Sequence, residues 1–243
     1  MDGAGSGTRK GKTFYWQSFF FIFIVILAVY ILFQSPVFLI GHIAVQGNTT
    51  LTSADLINVS GIVTGINIFQ VDLETAAHRV KALPMVKSAD IGRKLPSTVL
   101  MRVEERVPVA LVLADGDFVE LDAEGYYLRR GKASAAGLPV ITGVSMEASG
   151  PGQQAGGAGL DVALQVVGKL PAELRRALSE VNISDDGRVI LYTMDGVECH
   201  LGLPEEVESK GRLVLDTLRS EGVESIEYVD FSILSSPVVK YKK

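Results

Sequence analysis

Cys199-His200 is the pair whose residue types could supply a nucleophile and a base. Both fall in a run that reads as a β-strand, where neighbouring side chains point to opposite faces, so they cannot hydrogen-bond as a dyad. The remaining histidines, His42 and His78, are scattered, with no metal-ligand spacing. The acidic pairs Glu104-Glu105 and Asp185-Asp186 sit at a strand end and a turn. No second carboxylate can be placed opposite either one for acid–base work. The sequence carries no HExxH, GxSxG or SxxK. Residues 148–159, ASGPGQQAGGAG, lack the Gly-Lys-Ser/Thr or the strand–turn–helix frame of a phosphate cradle and read as a flexible loop. Arg129-Arg130-Gly131-Lys132 is a dense basic cluster, and it reads as a solvated loop. These residues predict no catalytic site, no cofactor and no metal.

What must position the chain is the stretch Phe14–Phe33, twenty residues without Asp, Glu, Lys or Arg. As a helix at about 1.5 Å per residue it would span about 30 Å, the thickness of a bilayer's hydrocarbon core. Phe14, Trp16 and Phe33 mark this anchor, and the spanning segment is read as 14–34. Arg9, Lys10 and Lys12 precede it and the next Lys or Arg is Arg79, so the positive-inside bias leaves residues 1–13 in the cytoplasm. The apolar run is too long for a signal peptide, and Phe33-Gln34-Ser35-Pro36-Val37 makes a poor cleavage site. The expected topology is single-pass, with the C-terminus outside the cytoplasm.

Net charge is −5 over 243 residues, and the first 13 residues carry +2, which leaves −7 for the rest. An acidic exterior argues against nucleic acid, which needs clustered Lys and Arg to displace counterions. The single cysteine excludes an internal disulfide, so the exterior must be stabilised by packing.

After the anchor, 38–45 reads as a strand closed by Gly47-Asn48, and Ser53 caps a short helix over 54–59. A second helix runs from Asp72 to about Leu83 and stops at Pro84. Two strands, 86–92 and 97–104, follow around the turn Arg93–Pro96. The order β-α-α-β-β predicts a small α+β domain over residues 36–106. A distal domain over 107–235 opens with a hairpin at Asp115-Gly116 and a turn at Glu124-Gly125. Helix is predicted over 160–181, with Pro171 at a first helical position, then a meander turning at Asp186-Gly187 and Asp195-Gly196. A helix from Pro204 and a last strand, 226–231, complete it, with 236–243 a short tail. The fold class is α+β: one transmembrane helix, the small domain, and a mixed α/β distal domain with an antiparallel sheet.

Several runs carry a resemblance. Val45-Gln46-Gly47-Asn48, Asn67-Ile68-Phe69 with Asp72, and Pro84-Met85-Val86 resemble a polypeptide-transport-associated (POTRA) domain. Arg93–Val99 and Glu105–Ala110, behind one N-terminal anchor, resemble the bacterial cell-division family FtsQ/DivIB. The resemblance implies a non-enzymatic divisome scaffold in the cell membrane at the division septum, regulating septal peptidoglycan synthesis. It implies as partners small single-span division proteins of the FtsB/DivIC and FtsL type, with septal peptidoglycan synthases as a further class. It places their binding surface at the last strand of the distal domain, on Glu227, Tyr228, Val229, Asp230 and Phe231, where a partner strand can pair with an open edge. Tyr228-Val229-Asp230 matches the family's pattern, whereas Ser232 stands where the family usually has Arg. Two rival classes are a membrane-anchored wall hydrolase or transpeptidase and a transport-type docking protein. The first needs a nucleophile with a base, or a metal cluster. The second normally carries repeated docking modules and an outer-membrane barrel.

Overall fold

The computed structural model describes residues 11–131, 137–147, 150–234 and 236–242. Residues 1–10 of the expected cytoplasmic tail, Lys132 of the basic cluster and residues 148 and 149 of the expected loop lie outside the described residues, as does the side chain of Phe14. The chain divides into two units, Met1–Val80 with Ala89–Val103, and Lys81–Ser88 with Glu104–Lys243.

The first unit opens with α1, Gly11–Phe33, a helix of 23 residues. From Phe19 to Phe33 it is apolar on every side, and the large side chains of that run are exposed. Its side chains are described for Trp16 and from Ser18 onward. Counted over those described side chains alone, no helix is long and apolar enough to cross a membrane.

A 3-10 turn, Pro36–Phe38, follows, and β1 is His42–Gln46 rather than the predicted 38–45. Residues 38–40 pair with the loop before Phe69 instead: Ile68 N donates to Phe38 O and Ile40 N to Ile66 O, each at 2.8 Å. The helix α2, Ser53–Ser60, is capped by Thr52 and not by Ser53, with Thr52 Oγ1 accepting from Asp55 N at 3.1 Å. Gly61 closes it in the left-handed conformation expected of a C-terminal glycine. Asp72 caps α3, Leu73–Lys81, by accepting from Thr75 N at 3.0 Å. With β2 (Val86–Lys94) and β3 (Thr98–Glu105) the sheet order is β1-β3-β2, β1 lying parallel to β3. Leu56, Ile68, Val80, Val99 and Met101 are fully buried in this unit. Each contributes about 1.5–3 kcal/mol by leaving water.

The second unit is built on a nine-stranded sheet in the order β12-β11-β10-β9-β8-β7-β4-β5-β6. Its first four strands are β4 (Pro108–Ala114), β5 (Asp117–Asp122), β6 (Tyr127–Gly131) and β7 (Val140–Thr142). Two helices, α4 (Leu160–Lys169) and α5 (Ala172–Ala177), precede β8 (Leu178–Ile183), β9 (Val189–Thr193) and β10 (Glu198–Gly202). The helix α6 (Val207–Glu221) leads to β11 (Ile226–Asp230) and β12 (Val238–Tyr241). The sheet is mixed rather than antiparallel. β7 lies parallel between β4 and β8, and β10 is parallel to β11.

Three expectations need correction here. Helix was predicted through Val181, but it ends at Ala177, and residues 178–183 form a strand with Leu178, Val181 and Ile183 in the core. Pro171 is the residue that caps α5 rather than its first helical residue. The run 148–159 is not free-hanging where it is described. Gly152 N donates to Tyr127 O and Tyr127 N to Gln153 O, while Glu147 and Gly156 exchange both backbone bonds.

Gly143, just after β7, shows how tightly the strands close. Its φ is +72°, and a Cβ there would stand 1.9 Å from the Ile183 carbonyl oxygen. Gly143→Ala is expected to cost more than about 1 kcal/mol, since strain and clash both oppose it. Urea denaturation followed by circular dichroism measures this.

Candidate partner-binding edge

Of the residues singled out on the last predicted strand, Glu227–Asp230 lie on β11 and Phe231 directly follows it, and the structure divides them by face. Val229 and Phe231 are buried in the core of the second unit, 0% and 2% exposed. Neither can touch a partner while the domain is folded, which corrects their placement on the binding surface. Glu227, Tyr228 and Asp230 lie at or near the surface. Tyr228 sits across from Glu198 on β10 and from Lys240 on β12. Its ring lies 5.9 Å from the His200 ring and 5.5 Å from the Lys240 ammonium. Lys240 Nζ donates to Glu227 Oε1 at 2.8 Å, and this bond raises the lysine's pKa. Burial pushes the Asp230 carboxyl up, but the bonds donated by Ser232, its N–H at 2.8 Å among them, and nearby His200 and Arg188 leave it below the usual range. Ser232 therefore binds Asp230.

β11 is not the edge. The tail expected over 236–243 holds β12, which pairs antiparallel outside β11 with Val239 across from Val229 and Val238 across from Asp230. A proline, Pro237, and a turn at Ser236–Ile233 bring the chain back. A bulge between Ile226 and Tyr228 places Glu227 as the extra residue. Lys242 N donates inward to Ser225 O at 2.8 Å. Antiparallel alternation then turns the N–H and C=O groups of Val239 and Tyr241 outward, away from β11. The opposite edge strand, β6, is covered at its start, because Tyr126 and Tyr127 are paired with residues 152–154. The outer side of β12 has no strand beyond it among the described residues.

Cys199 and His200 separate as their strand positions require. Cys199 is fully buried, and desolvation followed by the charge of Glu198 pushes its thiol up to about 12. His200 lies on the other face, with Nε2 2.9 Å from Glu198 Oε1. Arg129 and Arg130 belong to β6 rather than to a loop. They are bound to Glu120 at 2.9 Å and Asp117 at 2.7 Å.

The sequence does not reveal one cluster in the second unit. Arg106 is nearly buried and donates to Asp122 Oδ2 at 2.5 Å and to Glu124 Oε2 at 2.9 Å. Its guanidinium lies 3.5 Å over the Tyr126 ring. Lys87 Nζ reaches Glu124 Oε1 at 2.7 Å. The hydrogen bonds from Lys87 first and Arg106 second hold the Glu124 carboxyl below its ordinary 4.5. The only sequence signal is Arg106 itself, within the run Glu105–Ala110. Its partners stand 16 and 18 residues further on.

Comparison with known proteins agrees with this architecture. The model for the POTRA domain, FtsQ-type, matches residues 38–106, and that for Cell division protein FtsQ/DivIB, C-terminal, matches residues 110–232. Cell division protein FtsQ of Syntrophotalea carbinolica is 31% identical over 216 residues, covering 86% of this chain and 76% of that one. The FtsQ of Corynebacterium glutamicum is 30% identical over 188 residues, 77% of this chain and 82% of that one. Cell division protein DivIB of Geobacillus kaustophilus is 30% identical over 187 residues, 74% of this chain and 67% of that one. With both domain models matched in order and relatives at this identity over most of its length, the chain belongs to the FtsQ/DivIB family of cell-division proteins.

Proposed function

We propose that this chain is a non-enzymatic scaffold of the bacterial divisome, anchored by α1 in the cell membrane with its N-terminus in the cytoplasm and the rest outside. It works at the septum by holding small single-span division proteins of the FtsB/DivIC and FtsL type, and through them the septal peptidoglycan synthases. The anchor reading is supported by the whole backbone length of α1, 23 residues or about 34 Å, and by the uncharged run within it. The observation that carries the binding reading is the outer edge of β12, whose Val239 and Tyr241 backbone groups have no strand beyond them among the described residues. A partner segment entering extended would complete those bonds and add a tenth strand.

The test is Val239→Pro. Proline removes the outward N–H, yet the bonds from β12 back to β11 come from the alternate residues. Expected is a loss of about tenfold or more in affinity for a partner of the FtsB/DivIC type, since at least one bond and the strand geometry are lost. Full binding with an unchanged circular dichroism spectrum would move the capture surface elsewhere.

A further inference from the structure

We infer that the end of the first unit next to α1 rests on the membrane surface, so that the POTRA domain is seated on lipid rather than hanging from a free tether. This rests on the anchor reading of α1. Only Gln34 and Ser35 separate Phe33 from the turn Pro36–Phe38, so that turn stands no more than about 10 Å of chain from the end of the helix. The junction is also bolted. Asn67 Nδ2 donates to the Phe33 carbonyl oxygen at 2.7 Å, satisfying one of the acceptors a helix end leaves open. The Phe69 ring meets Phe33 edge-on at 4.8 Å and Phe38 at 5.2 Å.

Three segments are zipped together at this end. Gly65 N donates to Ile40 O and Ile68 N to Phe38 O, each at 2.8 Å. Gly41 N reaches Ser97 O at 2.9 Å, and Arg93 spans to Ile68 O and Val71 O, both at 2.8 Å. On this joined surface Val37, Leu39, Val63, Ile66, Phe69 and Leu95 are 38–59% exposed, with the ammonium-bearing Lys94 exposed beside Leu95. A cluster of large apolar side chains around the foot of an apolar helix is costly in water, and it fits the zone where acyl chains meet headgroups. The patch is continuous with α1 through Phe33, and this continuity selects lipid as the occupant over a protein.

The experiment uses the full chain in phosphatidylcholine vesicles containing doxyl-labelled lipid. Val37→Cys, Ile66→Cys and Leu95→Cys each take an environment-sensitive fluorophore, with Ser53→Cys, at the far end of β1, as the reference. Cys199 is fully buried and does not label in the folded chain. Expected is severalfold stronger quenching and a blue shift at residues 37, 66 and 95 relative to residue 53. The chain's single tryptophan, Trp16, reports the anchor separately through its own quenching. Trp16 quenched while the three probes match Ser53→Cys would overturn the seating and leave the anchor standing. Trp16 unquenched would overturn both. Probes that stay in water until a protein of the FtsB/DivIC type is added would assign the face to that protein, and the inference falls.

Discussion

Replacing Phe231 by alanine is expected to destabilise the second unit by about 3–5 kcal/mol, the cost of an aromatic cavity in a packed core. The ring is 2% exposed and packs in the cluster that includes Val229, Cys199 and Leu201. An aspartate at the same position is expected to prevent folding, because the charge would be buried without a partner. Tyr228→Ala should behave differently. Its side chain is half-buried on the open face between His200 and Lys240, so stability should fall by about 1 kcal/mol or less while partner capture weakens. Denaturant titration together with a pull-down on the same preparations separates the two. A stable Phe231→Ala protein that has lost its partner would return that residue to the interface and contradict its burial.

The second large effect is expected at Arg106. Its guanidinium is shielded between Asp122 and Glu124 and covered by Tyr126. Arg106→Ala leaves Asp122, itself 7% exposed on its side chain, without its cation. Breaking one side of such a buried pair costs about 3–5 kcal/mol. Two backbone donors to Asp122 Oδ1, Glu124 N at 2.9 Å and Tyr126 N at 2.8 Å, remain and favour the lower end of that range. Arg106→Lys should recover only part of the loss, because an ammonium cannot reach both carboxylates while lying flat on the ring. Asp122→Asn in the Arg106→Ala background should recover more, by removing the stranded charge. If the double variant is no more stable than Arg106→Ala, charge burial is not the cause. Glu124 adds an acid sensitivity. Its folded pKa is depressed, so its contribution is complete above 4.5 and is lost as pH falls through the lower folded value. Unfolding midpoints of wild type and Glu124→Gln should therefore converge on acidification.

The two-residue turns were legible because they need particular residues. Asp115 and Gly116 both have positive φ, as a tight hairpin demands, and at the later turns the glycines Gly187 and Gly196 take the positive φ. The β-α-α-β-β order was legible because caps, periodicity and Pro84 are local features. The cap of α2 slipped by one residue because Thr52 and Ser53 are equally able acceptors, and only the geometry of Asp55 chooses between them. Residues 178–181 read as helix because Leu178 and Val181, three apart, suit a helix face as well as a buried strand. β7 and β9 on either side determine which is made.

By itself the sequence determined the family, the two-domain order, the uncharged run that anchors the reading of topology, and the separation of Cys199 from His200. All of these depend on residues close together in the chain or on alternation within one element. Tertiary structure alone decided which strand is the edge, because that depends on what pairs beyond it. Val238–Tyr241 look like tail residues until β11 offers its free side, and they then displace Tyr228 from the rim of the sheet. The same holds for Arg106, whose partners are brought to it by the β4–β5–β6 meander. Local propensity carries no record of which distant groups will complete a hydrogen bond or neutralise a charge.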